Sequence, residues 1–303
     1  MSAGSLLPQP LRSFQSARRG IDLRTIIRMR LVATVALAAV LAGLALHAAR
    51  PTPAHAEARG ALVIAGNGPE LPMVEALVHQ FEKSQSGIFV DVLWDTAAKP
   101  TKQVRSGEAQ IAVTGAPEAD LRATQIAWDG IGVVVHLSNN AKDLTAQQIG
   151  EIFAGKYAVW SEVGGPDTTI HVIDRPPQEN VRHAFETQLN IADKMTSKAQ
   201  VIAKDEKVIK AVVGTLPPKS AVAFLSLEHA LSAVHSGVAI RLLTVDKVEP
   251  EEPTVKDGRY KLRRPVLLVS KTDPSPVVAA FEAFCASPAG QKIIDDFYTP
   301  LAP

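Results

Sequence analysis

From residue 61 onward, short β-branched runs alternate with apolar residues at helical spacing. Residues 61–65 read as a strand; Leu71, Val74, Leu77, Val78 and Phe81 share one helix face; residues 88–94 and 110–114 read as the next strands. A second set follows: strand 131–137, helix 146–154, strand 169–173, a helix at 181–188, strand 221–224 and helix 228–235. An extended stretch at 260–270 and two amphipathic helices, 277–285 and 288–297, close the chain. Strands alternating with helices at this spacing predict an α/β fold with mostly parallel sheets covered by helices. The closing helices need a sheet to cover, and the first set has too few strands of its own. The chain is therefore expected to cross over near His136 and return near residues 257–260. This makes a discontinuous first lobe of residues 57–136 and 258–303, a second lobe of 137–257, and a hinge between them.

The segment before this pattern is of another kind. Residues 31–46, LVATVALAAVLAGLAL, follow a basic stretch and precede Pro51, Pro53 and Ala54-His55-Ala56. That order is the signature of a signal peptide cleaved after Ala56, and the apolar run is shorter than the roughly 20 residues a membrane span needs. The expected product is periplasmic and soluble. Removal changes the charge: the 303 residues hold 32 Lys and Arg against 31 Asp and Glu, but losing seven Arg and Asp22 leaves 25 against 30, a net of −5. That sign disfavours nucleic acid as a partner. The 46% apolar content and single Cys exclude a disordered or disulfide-framed protein.

Few residues suggest chemistry. Gly150 to Lys156 satisfies half of a phosphate-cradling G-x-x-x-x-G-K loop, but Tyr157 stands where a metal-binding hydroxyl is required. Thr145 with Gln148 instead forms a capping box, and Gly155 ends the helix. No G-x-S-x-G occurs, and Cys285 sits on an apolar helical stripe. His79, His136, His171, His183, His229 and His235 show no paired ligand spacing. No enzyme, metal or cofactor is expected.

The loop Gly66-Asn67-Gly68-Pro69-Glu70 leads from the first strand straight into a helix, where backbone N–H groups favour an anion. Thr114-Gly115-Ala116 and the loop after strand 169–173 open on the same edge, so a cleft between the lobes is the expected site.

Several blocks then point to a family: LTAQQI at 144–149, EIFAGK at 151–156, VWSEVGGPD at 159–167, DGRYKLRRP at 257–265 and SPAGQKII at 287–294. In their order and spacing these closely resemble the phosphate-binding proteins of ABC importers, over residues 62–298. The resemblance implies a two-lobed type II periplasmic-binding-protein fold that closes at a hinge. It also implies a phosphate grip of Arg, three residues, then Ser-Gly-Thr, with Phe a fixed distance on. Arg175 and Phe185 keep that spacing, but Glu179-Asn180-Val181 replaces Ser-Gly-Thr. The other family loops here read Asp95-Thr96-Ala97-Ala98 and Ala116-Pro117. Val181 donates nothing from its side chain and an ionised Glu179 only accepts, so a like charge near the anion weakens phosphate capture unless Glu179 turns away.

The expected ligand-binding residues are Gly66, Asn67, Gly68, Thr96, Thr114, Arg175, Glu179, Asn180 and Arg182, with Lys99 as a further cation. Arg175 has a structural alternative, an ion pair with Asp174 or Glu179, and for Asn67 and Asn180 the alternative is turn chemistry. The sequence thus reads as a monomeric exported receptor that binds a small solute, phosphate or another anion, and serves an ABC permease. The rival is a receptor-like scaffold without solute that acts through protein contacts in sensing or envelope assembly.

Overall fold

The computed structural model describes residues 60–95 and 97–301. The signal-peptide segment and Thr96 lie outside the described residues. The first strands are β1 (Gly60–Gly66), β2 (Ile88–Trp94) and β3 (Ile111–Thr114), alternating with helices α1 (Leu71–Ser84) and α2 (Pro100–Ser106). A 15-residue strand, β4 (Arg122–His136), follows, then β5 (Asp143–Leu144), α3 (Ala146–Phe153), β6 (His171–Asp174), α4 (Asn180–Gln188), β7 (Gln200–Val201) and α5 (Asp205–Gly214). The remainder comprises β8 (Ala221–Ser226), α6 (Leu227–His235), β9 (Ile240–Leu242), β10 (Thr244–Val245), α7 (Glu252–Asp257), β11 (Arg263–Ser270), α8 (Pro276–Ala286), α9 (Pro288–Ile294) and β12 (Thr299–Pro300).

Strand pairing runs β2-β1-β3-β11-β4-β8-β6-β7, with β9 and β12 also on β4 and β5 paired with β10 apart. β4 joins two sets of partners. Its residues 122–130 pair antiparallel with β11, and residues 131–136 pair antiparallel with β8 and β9. The change of partner falls between Gly130 and Ile131, where Ile131 N–H donates to the Leu262 carbonyl at 2.7 Å. It therefore precedes the crossover expected near His136, and the return lies at Leu262 and Arg263, just after the expected 257–260. The first half of β4, RATQIAWDG, is too polar to show a strand period, so only its apolar second half is visible in the sequence. At the switch, a Cβ on Gly130 would stand 2.7 to 2.9 Å from the side chains of Leu227 and Val255. Only a glycine lets α6 and α7 pack this closely over the strand.

Each set of strands has its own core. Leu62, Ile64, Leu77, Phe81, Leu268 and Phe281 pack β1 and β11 against α1 and α8, while Val104 and Ala112 pack the other face under α2. In the second set Phe185 stacks on Phe224 at 4.0 Å and meets Phe153 edge-on at 4.8 Å. The capping box at Thr145 is formed, with the Gln148 N–H donating to Oγ1 at 3.1 Å, and Gly155 follows at positive φ, so this segment is a helix end and no phosphate loop. The final helix stops at Ile294, short of the expected 297. Helices α2, α5 and α7 have no counterpart in the sequence reading, because α2 and α7 are short and begin with Pro in the first turn, and α5 buries only Val208 and Val212 as an apolar stripe. Among the described residues no helix is long and apolar enough to cross a membrane.

Candidate functional site

The loop from β1 to α1 is held open by an aromatic wall. The Trp94 indole lies against Gly66, where a Cβ would overlap the ring, and its Nε1–H donates to the Gly68 carbonyl at 2.9 Å. Asn67 is buried between the two sets of strands. Its Nδ2 donates to the Ala98 carbonyl at 3.0 Å and toward the Gln178 carbonyl, 111 residues away, at 3.4 Å. Its Oδ1 has no partner among the described residues. Thr114 forms a local turn instead of projecting outward: Oγ1 donates to the Ala116 carbonyl at 2.6 Å and accepts from the Ala116 N–H at 3.1 Å.

Arg175 at the end of β6 is 1% exposed, and each guanidinium nitrogen has an acceptor in the chain. Nε donates to Glu179 at 3.0 Å, Nη1 to Asp205, and Nη2 to the Ala203 carbonyl at 2.7 Å. Asp205 also pairs with His229 Nδ1 at 2.6 Å. Glu179, one residue before α4, is turned onto Arg175. Burial raises its carboxyl to about 7 against the opposing pull of Arg175. Burial likewise pushes on Asp205, but His229 and Arg175 overcome it and hold the carboxyl below its ordinary range. Burial opposes the charged form of His229, and its bond to Asp205 outweighs that and raises the imidazole. Arg182 pairs with Asp174 at 3.2 Å and Glu186 at 3.1 Å.

A second charged cluster lies beneath the same loops. Arg264 on β11, 1% exposed, pairs with Glu70 at 2.5 Å and with its register partner Asp129 at 2.8 Å; Asp129 also accepts from Ser226 Oγ at 2.7 Å. Burial raises the Asp129 carboxyl, and Arg264 and Ser226 pull against it.

Two cavities meet at Asn67. The larger, about 620 Å³, is lined from one set of strands by Lys99, Lys102 and Thr114 and from the other by Gln178, Asn180 and His183. The smaller, about 260 Å³, is lined by Gly68, Trp94, Arg175, Glu179 and His229. The expected residues thus divide. Asn67, Gly68, Arg175 and Glu179 gather at the smaller cavity, and Asn67, Thr114 and Asn180 at the larger. Gly66 underlies Trp94, and Arg182 faces its own ion pairs. Lys99 and Lys102 have no ion pair among the described residues, whereas Arg105, which also lines the larger cavity, is bound to Glu118 and Asp120.

Sequence reasoning missed Glu70, Asp129, Asp205, His229 and Arg264. Asp129 and Arg264 did not stand out, because β4 also carries Arg122 and Arg264 is the second residue of β11, beside Arg263. Asp205 and His229 are 30 and 54 residues from Arg175, with nothing in the local spacing to join them.

Comparison with known proteins gives a consistent family. The model of the PBP superfamily domain matches residues 51–289. The phosphate-binding protein PstS of Bacillus subtilis is 24% identical over 256 residues, covering 81% of this chain and 82% of its own. A Clostridium perfringens substrate-binding protein, assigned provisionally to phosphate ABC transport and holding bound phosphate, superposes with a TM-score of 0.69 at 25% identity over 80% of this chain and all of its own. An ABC-type phosphate transport receptor from Vibrio cholerae gives the same TM-score and coverage at 22% identity. The fold is that of the type II periplasmic binding proteins.

Proposed function

The chain belongs to the PBP superfamily, and from that membership we propose that it is an exported solute-binding receptor of an ABC importer, closing its two lobes on a small oxyanion and delivering it to a membrane permease. The carrying observation is the larger cavity, walled from both sets of strands and edged by Lys99 and Lys102, whose ammonium groups have no ion pair among the described residues. The first turn of α4 opens on it at Asn180. N–H groups of a first helical turn have no partner within the helix, and the dipole there favours negative charge. The preceding Glu179 makes no side-chain cap bond to them. Asn180 supplies a neutral amide from one wall, and the free Oδ1 of Asn67 on the other accepts only from a protonated ligand oxygen. Phosphate belongs in the class because the relatives named above are phosphate receptors.

A thermal-shift panel of phosphate, sulfate, molybdate, citrate and amino acids tests this reading. A specific ligand at 100 times its dissociation constant adds about 2.7 kcal/mol, or roughly 5–10 °C for a domain of this size. A blank panel contradicts it.

One observation favours a second reading, the receptor-like scaffold without solute: Arg175 and Arg182 are both committed to carboxylates of the chain itself. A blank panel together with loss of cellular function on surface substitution would decide for it.

A further inference from the structure

The residue whose spacing marks it for the anion, Arg175, has an acceptor within the chain on each of its three guanidinium nitrogens. Its Nε, Nη1 and Nη2 are matched by Glu179, Asp205 and the Ala203 carbonyl. Arg264 is different. Its Nε and Nη2 are held by Asp129 and Glu70, but Nη1 has no acceptor among the described residues, although the side chain is 1% exposed. A buried donor without an acceptor is rare and calls for an explanation, and a guanidinium always carries all of its N–H groups.

The position of that nitrogen supplies one. A Cβ added to Gly115 would stand 3.2 Å from Arg264 Nη1 and 3.2 Å from Asn180 Cβ. Gly115 follows β3 and Asn180 opens α4, so the free edge of the guanidinium lies on the seam where the two sets of strands meet. Thr114, Ala116 and Asn180, the neighbours of that point, line the larger cavity. The same seam holds Asn67, whose Oδ1 is likewise buried and unmatched. Parting the halves at Gly115 and Asn180 uncovers Nη1, and closing them again without an acceptor leaves it orphaned.

We propose that Arg264, through Nη1, is the cationic donor that contacts the bound oxyanion, in place of Arg175, and that Gly115 lacks a side chain so that the ligand can reach it. The assignment rests on the solute-receptor reading. Glu70 and Asp129 hold the guanidinium by its other edge and fix the direction of Nη1. Their charges also set the site against anions of high charge, which makes a small oxyanion the class of ligand.

The test titrates inorganic phosphate and, separately, sulfate into the purified protein and into Gly115→Ala and Arg264→Lys, with melting recorded for each. Gly115→Ala leaves every ion pair in place, so it remains decisive if Arg264→Lys fails to fold. The expected result is binding of at least one anion by the unaltered protein, at least tenfold weaker in Gly115→Ala with melting unchanged. In nitrogen-edited spectra the Arg264 guanidinium signal shifts on adding that anion while the Arg175 signal holds. Binding by the unaltered protein with equal affinity in both variants and no shift of the Arg264 signal overturns the assignment and leaves the receptor reading standing. No binding of either anion by the unaltered protein overturns the assignment and goes against the receptor reading as well.

Discussion

Burial and charge pull Glu179 in opposite directions, and burial wins, leaving its carboxyl at about 7. The native protein then holds a proton that the unfolded chain releases near pH 4.5, so stability falls as pH rises from about 4.5 to 7 and is level above. His229 acts with the same sign: its raised imidazole contributes stability fully present below about pH 6.5 and lost as pH rises through the higher folded value. Asp205 acts with the opposite sign, its depressed carboxyl contributing stability above about pH 3.8 that is lost in more acid solution. The melting temperature is therefore expected to peak at about pH 4 to 4.5 and to decline from there toward neutral pH. Glu179→Gln mimics the protonated form and should flatten the decline toward neutral pH by on the order of 3 kcal/mol, measured as urea midpoints from pH 4.5 to 8. A variant with the same decline as the unaltered protein would refute the assignment. The spacing of Arg175 and Glu179 made their ion pair foreseeable as one of two readings. The dominance of that pair was hidden, because it depends on Asp205 and His229, which only the fold brings near.

At the scale of elements, the locally specified pieces were the legible ones. The helix after Thr145 announces itself by its capping box, and Thr145→Ala should cost about 1 kcal/mol, or roughly 2–4 °C in melting. Phe185, stacked on Phe224 and edge-on to Phe153, is fully buried at the centre of the second core. Phe185→Ala should cost about 3–5 kcal/mol, read from chemical denaturation. Long-range pairing was harder to read. The first half of β4 carries Arg122 and Asp129 because its neighbours α8 and β11 supply partners, Glu282 for Arg122 and Arg264 for Asp129. A strand stabilised by such pairs has no apolar alternation for a sequence reading to detect. Gly130 marks where that half ends, and Gly130→Ala should drive a methyl into Leu227 and Val255 and lower the melting temperature by several degrees.

Over the whole molecule, the blocks that betrayed the family lie on scaffold. Residues 144–167 build α3 and the turn around Trp160, 257–265 form the return crossing, and 287–294 form the last long-packed helix, α9. The loops expected to meet a solute diverge from the family pattern, which is why the fold was readable and the ligand was not. Two separate cores joined by β4 and the Tyr260–Leu262 return are what the proposed hinge requires, and on the proposed reading the two halves close on the ligand. Small-angle X-ray scattering on the purified protein, with and without a saturating anion drawn from the thermal-shift panel, tests that closure directly. A smaller radius of gyration in the presence of the stabilising anion is the predicted result; an unchanged profile with every anion would contradict the account.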